Sequence, residues 1–407
     1  MVLDESALAP FPELAVIVPA YCEADINFCL DSLFANQGFA FQVIVIVVIN
    51  HSVDAPEETK IFHRGQAKAL KEKYTDLSSA IHFQVIEAEL PTKIAGVGMA
   101  RKMGLDYAAA RFHQINHPHG ILVSLDADTV VCFNYLSTLY TTFRKHKLNA
   151  ASIYFEHRQD SANLSAISDY ELHLRLYING QRIAGYPLAF QSVGSAMAFT
   201  AEAYTKQGGM VKNKAGEDFY FMQKLMPLGC LADLVETTVM PSSRESDRVP
   251  FGTGRAVKQY QQLGIQLTYH PESYLYFQDM VSFLENMALE PQKINAFEGL
   301  HHHLRDFLDQ IDFLKTVSSI SKQASSSEAL RKRIYNWFNP FMVMKYFHFM
   351  RGQGFPDRAI QEVLNTLMNI HGLEICQDRA DCLAVLRLKD RTRPQYLTPS
   401  CRLIPLV

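Results

Sequence analysis

The segment ILVSLDADT, residues 121–129, opens as an apolar run and ends on two carboxylates. A short apolar run closed by polar turn residues reads as a buried strand. Asp126 and Asp128 then sit at i and i+2 of an extended chain, so their side chains point the same way and can approach one divalent cation, directly or through water. A hard cation, Mn²⁺ or Mg²⁺, suits such oxygen ligands. The same pair also suits the solvated approach to a helix beginning near Phe133, where Asp and Thr are common. A D-x-D pattern alone does not separate these readings.

Outward from this strand, β-branched runs alternate with helical patterns over the first 240 or so residues. AVIVPAY (15–21), FQVIVIVVIN (41–50), HFQVIEA (82–88), AASIYFE (150–156) and LVETTVM (234–240) read as further strands. Helical patterns lie between them, at 23–36, 55–74, 97–112 and 133–147. This rhythm predicts an α/β fold with a mostly parallel sheet and helices on both faces. Ligands of such sheets bind beyond the carboxyl ends of the strands, so polar residues there carry most of the functional information. From about 258 onward amphipathic helical patterns take over, as in HHLRDFLDQIDFLKTV (302–317) and DRAIQEVLNTLMNI (357–370). The serine-rich SSISKQASSSEA (318–329) reads as a loop, and no internal repeat is visible. The expected organisation is one α/β catalytic domain over 1–257 and a mainly helical region over 258–407, serving acceptor binding or assembly.

Composition narrows the classes. The 407 residues are 48% hydrophobic and 20% charged, which is ordinary for a folded globular chain. With 39 Lys and Arg against 42 Asp and Glu, the net charge of −3 offers a polyanion no bulk attraction, so no nucleic-acid partner is expected. The 7 cysteines form no C-x-x-C pair; the nearest in sequence are Cys22/Cys29 and Cys376/Cys382. That predicts reduced thiols in a cytoplasmic protein rather than a disulfide framework or a zinc ribbon. The opening MVLDESALAPFPEL lacks the basic and apolar regions of a secretory signal. The most apolar run, 41–50, is about half the roughly 20 residues a membrane span needs, so no transmembrane helix is expected.

Two further segments could carry chemistry. In Ala215-Gly216-Glu217-Asp218 the acids precede the helical pattern FYFMQKLM, which places carboxylates at a helix start facing the crevice. They suit either a general base or simple complementation of the helix dipole. PSSRESDRVPFGTGRA (241–256) carries Arg244, Arg248 and Arg255 after a strand, where guanidinium groups can clamp phosphate oxygens or form a solvated basic loop.

VIVPAYCEAD, AGVGMARKMGLDYA (95–108), the Asp126/Asp128 pair and AGEDFYF (215–221) occur in the order and approximate spacing of family 2 glycosyltransferases. The chain resembles that family from about 14 to about 257. The resemblance implies a GT-A fold, a Rossmann-like nucleotide-diphospho-sugar transferase sheet, and inverting transfer of a sugar from a nucleoside-diphosphate donor, a UDP- or GDP-sugar, to a hydroxyl on a glycan or lipid-linked acceptor. It implies Asp126 and Asp128 as metal ligands, with Asp126 also on the donor side. Asp218 stands at the catalytic-base position with Glu217 beside it. Pro19, Tyr21, Glu23, Asn50, Lys93, Arg101, Arg244 and Arg248 fall on the donor side. His157, Ser192, Gly194 and Ser195 fall where acceptor and sugar are contacted. Pro19 and Tyr21 equally suit strand termination and packing, Gly96 and Gly98 an ordinary helix entry, and His157 a satisfied core or surface histidine.

The chain departs from the family in three places. The usual acidic cluster after the second strand is replaced by Asn50-His51-Ser52-Val53-Asp54, which leaves the base open. No histidine occurs between His173 and His270 to act as a further metal ligand, and the Gln-x-x-Arg-Trp of processive synthases is absent. RKRIYNWFNPFMVMKYFHFMRGQGF (331–355), with the single Trp337, reads either as a basic-aromatic contact with the inner face of a membrane or as an aromatic core interrupted by Pro340. Two other functions compete. A sugar nucleotidyltransferase would carry a glycine-rich basic loop after the first strand, which VPAYCEAD lacks; a catalytically silent scaffold would have lost Asp126, Asp128 or Asp218, all of which are present.

Overall fold

The computed structural model describes residues 12–158, 163–211, 216–244, 252–376 and 378–406. The chain divides into two compact units. The first comprises Met1–Arg158, Ser192–Leu225 and Cys230–Ser242; the second comprises Gln159–Gln191, Met226–Gly229 and Ser243–Val407.

Among its described residues the first unit holds eight strands: β1 (Leu14–Ala20), β2 (Val43–Ser52), β3 (Ile81–Leu90), β4 (Ile121–Ser124), β5 (Val130–Val131), β6 (Ala150–Phe155), β7 (Met197–Thr200) and β8 (Leu231–Met240). Their order is β8-β6-β7-β4-β1-β2-β3, with β5 on β8. The pairs β1/β2, β2/β3, β1/β4 and β6/β8 are parallel; β7 runs antiparallel to β4 and β6, and β5 antiparallel to β8. The result is a mostly parallel mixed sheet. Every residue of β1 is buried, as are the first eight of β2, which is why both read as continuous apolar runs rather than alternating ones. Helices α1 (Ile26–Phe34), α2 (Glu57–Tyr74), α3 (Val97–Gln114) and α4 (Tyr135–His146) follow successive strands. Helix α3 lies close on the sheet because Gly104 has no side chain: a Cβ there would stand 2.6 Å from Ile17 Cγ2.

Pro19 sits within β1, a strand paired on both sides. Ile17 turns its carbonyl toward β4 and accepts from the Leu125 N–H (3.0 Å), and the last β1/β4 pairing is Ile17 with Ser124. Pro19 faces the same side two residues later, where the β4 ladder has ended, so its missing N–H leaves no gap. The sheet opens at this point.

The second unit is mainly helical. It contains α5 (Leu164–Ile183) and, after α6 (Ala201–Lys206) and α7 (Glu217–Leu225) of the first unit, α8 (Thr253–Leu263), α9 (Pro271–Leu289), α10 (His302–Gln310), α11 (Phe313–Lys322), α12 (Ser327–Trp337), α13 (Pro340–Gly352), α14 (Ile360–Ile370) and α15 (Arg379–Thr392). The expected single boundary at 257 therefore differs from the observed division: α5 precedes β7 in sequence but clusters with the C-terminal helices. Its buried face carries charges whose partners lie there. Glu171, fully buried, accepts from Arg175 Nε (2.9 Å) and from both arms of Arg387 on α15 (2.8 Å each). Asp169 accepts from Gln361 on α14 (2.6 Å) and Arg379 on α15 (2.7 Å). A buried carboxylate left without such partners is strongly destabilising, so these residues hold α5 to α14 and α15.

The 331–355 stretch forms α12 and α13, with Pro340 at the first position of α13 and Asn339 capping it. Tyr335, Phe338, Tyr346 and Phe347 are buried, and Arg331 and the Tyr335 hydroxyl both donate to Glu285. These aromatics are core, which removes the one-sided apolar face that the membrane-contact reading required. No helix among the described residues is long and apolar enough to cross a membrane. None of the seven cysteines is in a disulfide.

Candidate active site

The crevice lies where the strand order reverses, beyond the carboxyl ends of β1 and β4. After β4 the chain does not stay extended as the pattern predicts: it turns, and the Thr129 N–H donates to the Asp126 carbonyl (3.1 Å), leaving Leu125, Ala127 and Thr129 buried and Asp126 and Asp128 half-buried. Both carboxylates press on the buried Cys29 thiol of α1, whose pKa is raised by burial first and then by Asp128 and Asp126.

Arg101, one turn into α3, reaches the same place. It is almost fully buried, donates one guanidinium nitrogen to Asp126 Oδ1 (2.5 Å) and another to Glu217, while its Nε has no partner. Burial alone would lower its pKa, but Asp126, Glu217 and Asp218 outweigh burial and hold it charged. Glu217 is equally buried and opens α7 after Gly216, whose φ of 73° lies in the left-handed region.

Asp218 follows Glu217 and is less enclosed. Its Oδ1 accepts from the Phe219 N–H (2.8 Å). Burial pushes its pKa up to about 6; Arg101 opposes this, and Glu217 and Asp126 add to it. Beneath it runs the backbone of Gly194, where a Cβ would stand 2.8 Å from Asp218 Oδ2 and 3.1 Å from an Arg101 nitrogen. The Gly194 carbonyl accepts from Ser124 Oγ (2.8 Å), which fixes this floor to the end of β4. Three carboxylates, Asp126, Glu217 and Asp218, thus act on one guanidinium, and Asp128 stands two residues from Asp126. The excess negative charge and the all-oxygen donor set fit a divalent cation held by Asp126 and Asp128.

The first-strand motif is arranged differently from a simple loop. Tyr21 is exposed and lies edge-on to His63 of α2 (5.3 Å between centroids). Cys22 has a positive φ of 49°, and its backbone N–H donates to His63 Nε2 (3.1 Å). Because a backbone N–H can only donate, His63 Nε2 is unprotonated and its proton sits on Nδ1, which donates to His51 Nδ1 at 3.0 Å. The second nitrogen of His51 faces Glu89 at 3.9 Å. Gln66 of α2 donates to the Glu23 carbonyl (2.6 Å), so α2 holds this turn at two points. Sequence reasoning missed His51 and His63. They lie on different elements with no motif spacing, and only the fold pairs them.

The remaining expected residues scatter. Asn50 is buried and donates to the Gly96 carbonyl (3.0 Å), which ties the end of β2 to the start of α3. Lys93 is exposed just before α3. Ser195 is buried beside Gly194, and Ser192 is half-buried at the start of the same segment. His157 is buried and meets Phe155 edge-on (5.7 Å), the environment of a core histidine. Arg244 and Arg255 belong to the second unit, and Arg248 lies outside the described residues.

The first unit is therefore an α/β sheet protein with an acidic crevice at its topological switch point. No family model matches the chain, and no curated protein matches its sequence. Among solved structures it is similar to S. aureus TarS 1–349 in complex with UDP-GlcNAc, at 14% identity over 97% of this chain and 96% of that one, with a TM-score of 0.41. It is also similar to the mannosyltransferase PcManGT from Pyrobaculum calidifontis in complex with GDP-Man and Mn²⁺, at 16% identity over 81% and 88% of the two chains, TM-score 0.38. A third is GalNAc-T7 with UDP, GalNAc and Mn²⁺, at 12% identity over 73% and 54%, TM-score 0.38.

Proposed function

We propose that the chain is a GT-A glycosyltransferase that moves a sugar from a nucleoside-diphosphate donor to an acceptor hydroxyl with inversion. The observation that supports it most is the convergence of Arg101, Asp126 and Glu217/Asp218, from three separated motifs, at one strand-end crevice. In this reading Asp218 is the general base: it takes the acceptor proton as the oxygen attacks the anomeric carbon from the side opposite the diphosphate. Its raised pKa suits that task near neutral pH. Asp126 and Asp128 hold a Mn²⁺ or Mg²⁺ ion, which when bound neutralises the leaving diphosphate. Glu217 pairs with Arg101 rather than sharing the base role, and fixes the guanidinium on the diphosphate side. Tyr21 and the turn held by His63 and Gln66 border the nucleoside. The donor is a UDP- or GDP-sugar and the acceptor a glycan or lipid-linked glycan.

The test is release of free nucleoside diphosphate from a panel of UDP- and GDP-sugars with Mn²⁺ and mixed glycan acceptors. Asp218→Asn is expected to slow transfer by about 10²–10⁴-fold while donor binding holds within about threefold. Full activity in that variant removes Asp218 as base, and absence of turnover with every donor removes the glycosyltransferase reading.

A further inference from the structure

Three consecutive imidazoles meet at the start of α10 in the second unit. The ring centroids lie 4.3 Å apart for His301 and His302, 4.0 Å for His302 and His303, and 4.9 Å for His301 and His303. One ring nitrogen from each falls within 4.8 Å of the others, and no other such group of three occurs among the described residues. Aromatic walls hold the rings. Tyr276 of α9 lies against His301 (4.6 Å, 35°), while Phe355 meets His303 at 90° (5.1 Å) and Tyr276 at 5.5 Å.

One observation beyond the clustering itself points to a ligand. His303 Nδ1 is buried with no hydrogen-bond partner, an unsatisfied group that carries a desolvation cost unless something fills it.

We propose that His301, His302 and His303 bind a borderline transition-metal ion such as Zn²⁺, at a site separate from the Asp126/Asp128 pair. Nitrogen donors select this class of ion and disfavour Mg²⁺ and Mn²⁺, which prefer oxygen. Bonds of about 2.0 Å place tetrahedral ligands about 3.3 Å apart, a closure that the exposed His301 and His302 reach by side-chain rotation. Three protein ligands leave one position open to water or to a group on a partner.

The experiment is equilibrium dialysis of the full-length, untagged, chelator-stripped chain against Zn²⁺ alone, with Co²⁺ as the spectroscopic probe. One Zn²⁺ per chain is expected at about 10 µM free metal. His301→Gln with His302→Gln, both exposed and so compatible with folding, is expected to weaken binding by about tenfold or more, as is His303→Gln. Asp126→Asn with Asp128→Asn is expected to leave Zn²⁺ binding in place. Less than half an equivalent bound to the native chain, a smaller loss in the double histidine variant, or loss in the aspartate variant overturns the proposal.

Discussion

Arg101 and Glu217, 116 positions apart in the chain, form a buried ion pair at the base of the crevice, with Asp126 completing the guanidinium's partners. This joins the second turn of α3 to the first turn of α7 and the chain just past β4 through one electrostatic clamp.

Removing one member of such a pair strands the other. Arg101→Met is expected to cost about 3–5 kcal/mol in urea unfolding, because Glu217 stays buried without its cation. Pairing it with Glu217→Leu should recover a large part of that loss. A single-variant cost below about 1 kcal/mol would show that the clamp contributes nothing to stability.

Gly194→Ala separates geometry from stability. The new methyl would stand 2.8 Å from Asp218 Oδ2, the movable end of a side chain, so the carboxylate shifts rather than the backbone. The expected result is a kcat lower by about 10–100-fold with donor KM within about threefold and the melting temperature nearly unchanged. An unaltered kcat would show that the position of Asp218 does not matter to the rate.

The carboxylate pair is tested by ligand linkage. Mn²⁺ together with UDP or GDP should raise the melting temperature of the native chain, since a ligand that binds only the folded state stabilises it. In Asp126→Asn with Asp128→Asn the metal-dependent part of that shift should vanish. Its persistence places the cation elsewhere.

His63 makes stability depend on pH. Burial first, and His51 next, lower its pKa from 6.5 to about 4. The unfolded chain therefore binds a proton below about pH 6.5 that the folded chain refuses until about pH 4. Stability is fully present above that window and falls as pH drops through it. His63→Gln, which keeps an acceptor for the Cys22 N–H, should flatten the decline in urea midpoint between pH 7 and pH 4.5; an identical slope in both proteins assigns the decline to other groups.

Much of the first unit was legible because strand burial writes itself into composition. The runs 15–21, 41–50 and 150–156 each became a strand within a few residues, since segments covered on both faces are apolar nearly throughout, and 82–88 became the half-buried edge strand β3. β5 and β7 were not legible. Two and four residues long, they carry no period to read, and antiparallel β7 enters the sheet only because the neighbouring strands leave a slot. The site divided in the same way. Asp126, Asp128, Glu217 and Asp218 stood out as acids at element ends, and Gly194 was named through the family resemblance, whereas the pairing of His51 with His63 and the approach of Asp218 to Gly194 depended on the fold.

The sequence by itself determined an α/β sheet with a helical C-terminal region, an acid pair just past a strand end, and acids at a helix start, because these follow from local periodicity; that the acid pair lies in a turn rather than an extended end was decided by the fold. Only the tertiary structure decided that α5 joins the C-terminal helices, that Glu217 belongs to Arg101, that Asn50 secures α3, and that Tyr335, Phe338, Tyr346 and Phe347 face inward. Each of these depends on where a buried charge, amide or ring finds its partner, and such partners lie tens to hundreds of residues away, beyond the reach of any local pattern.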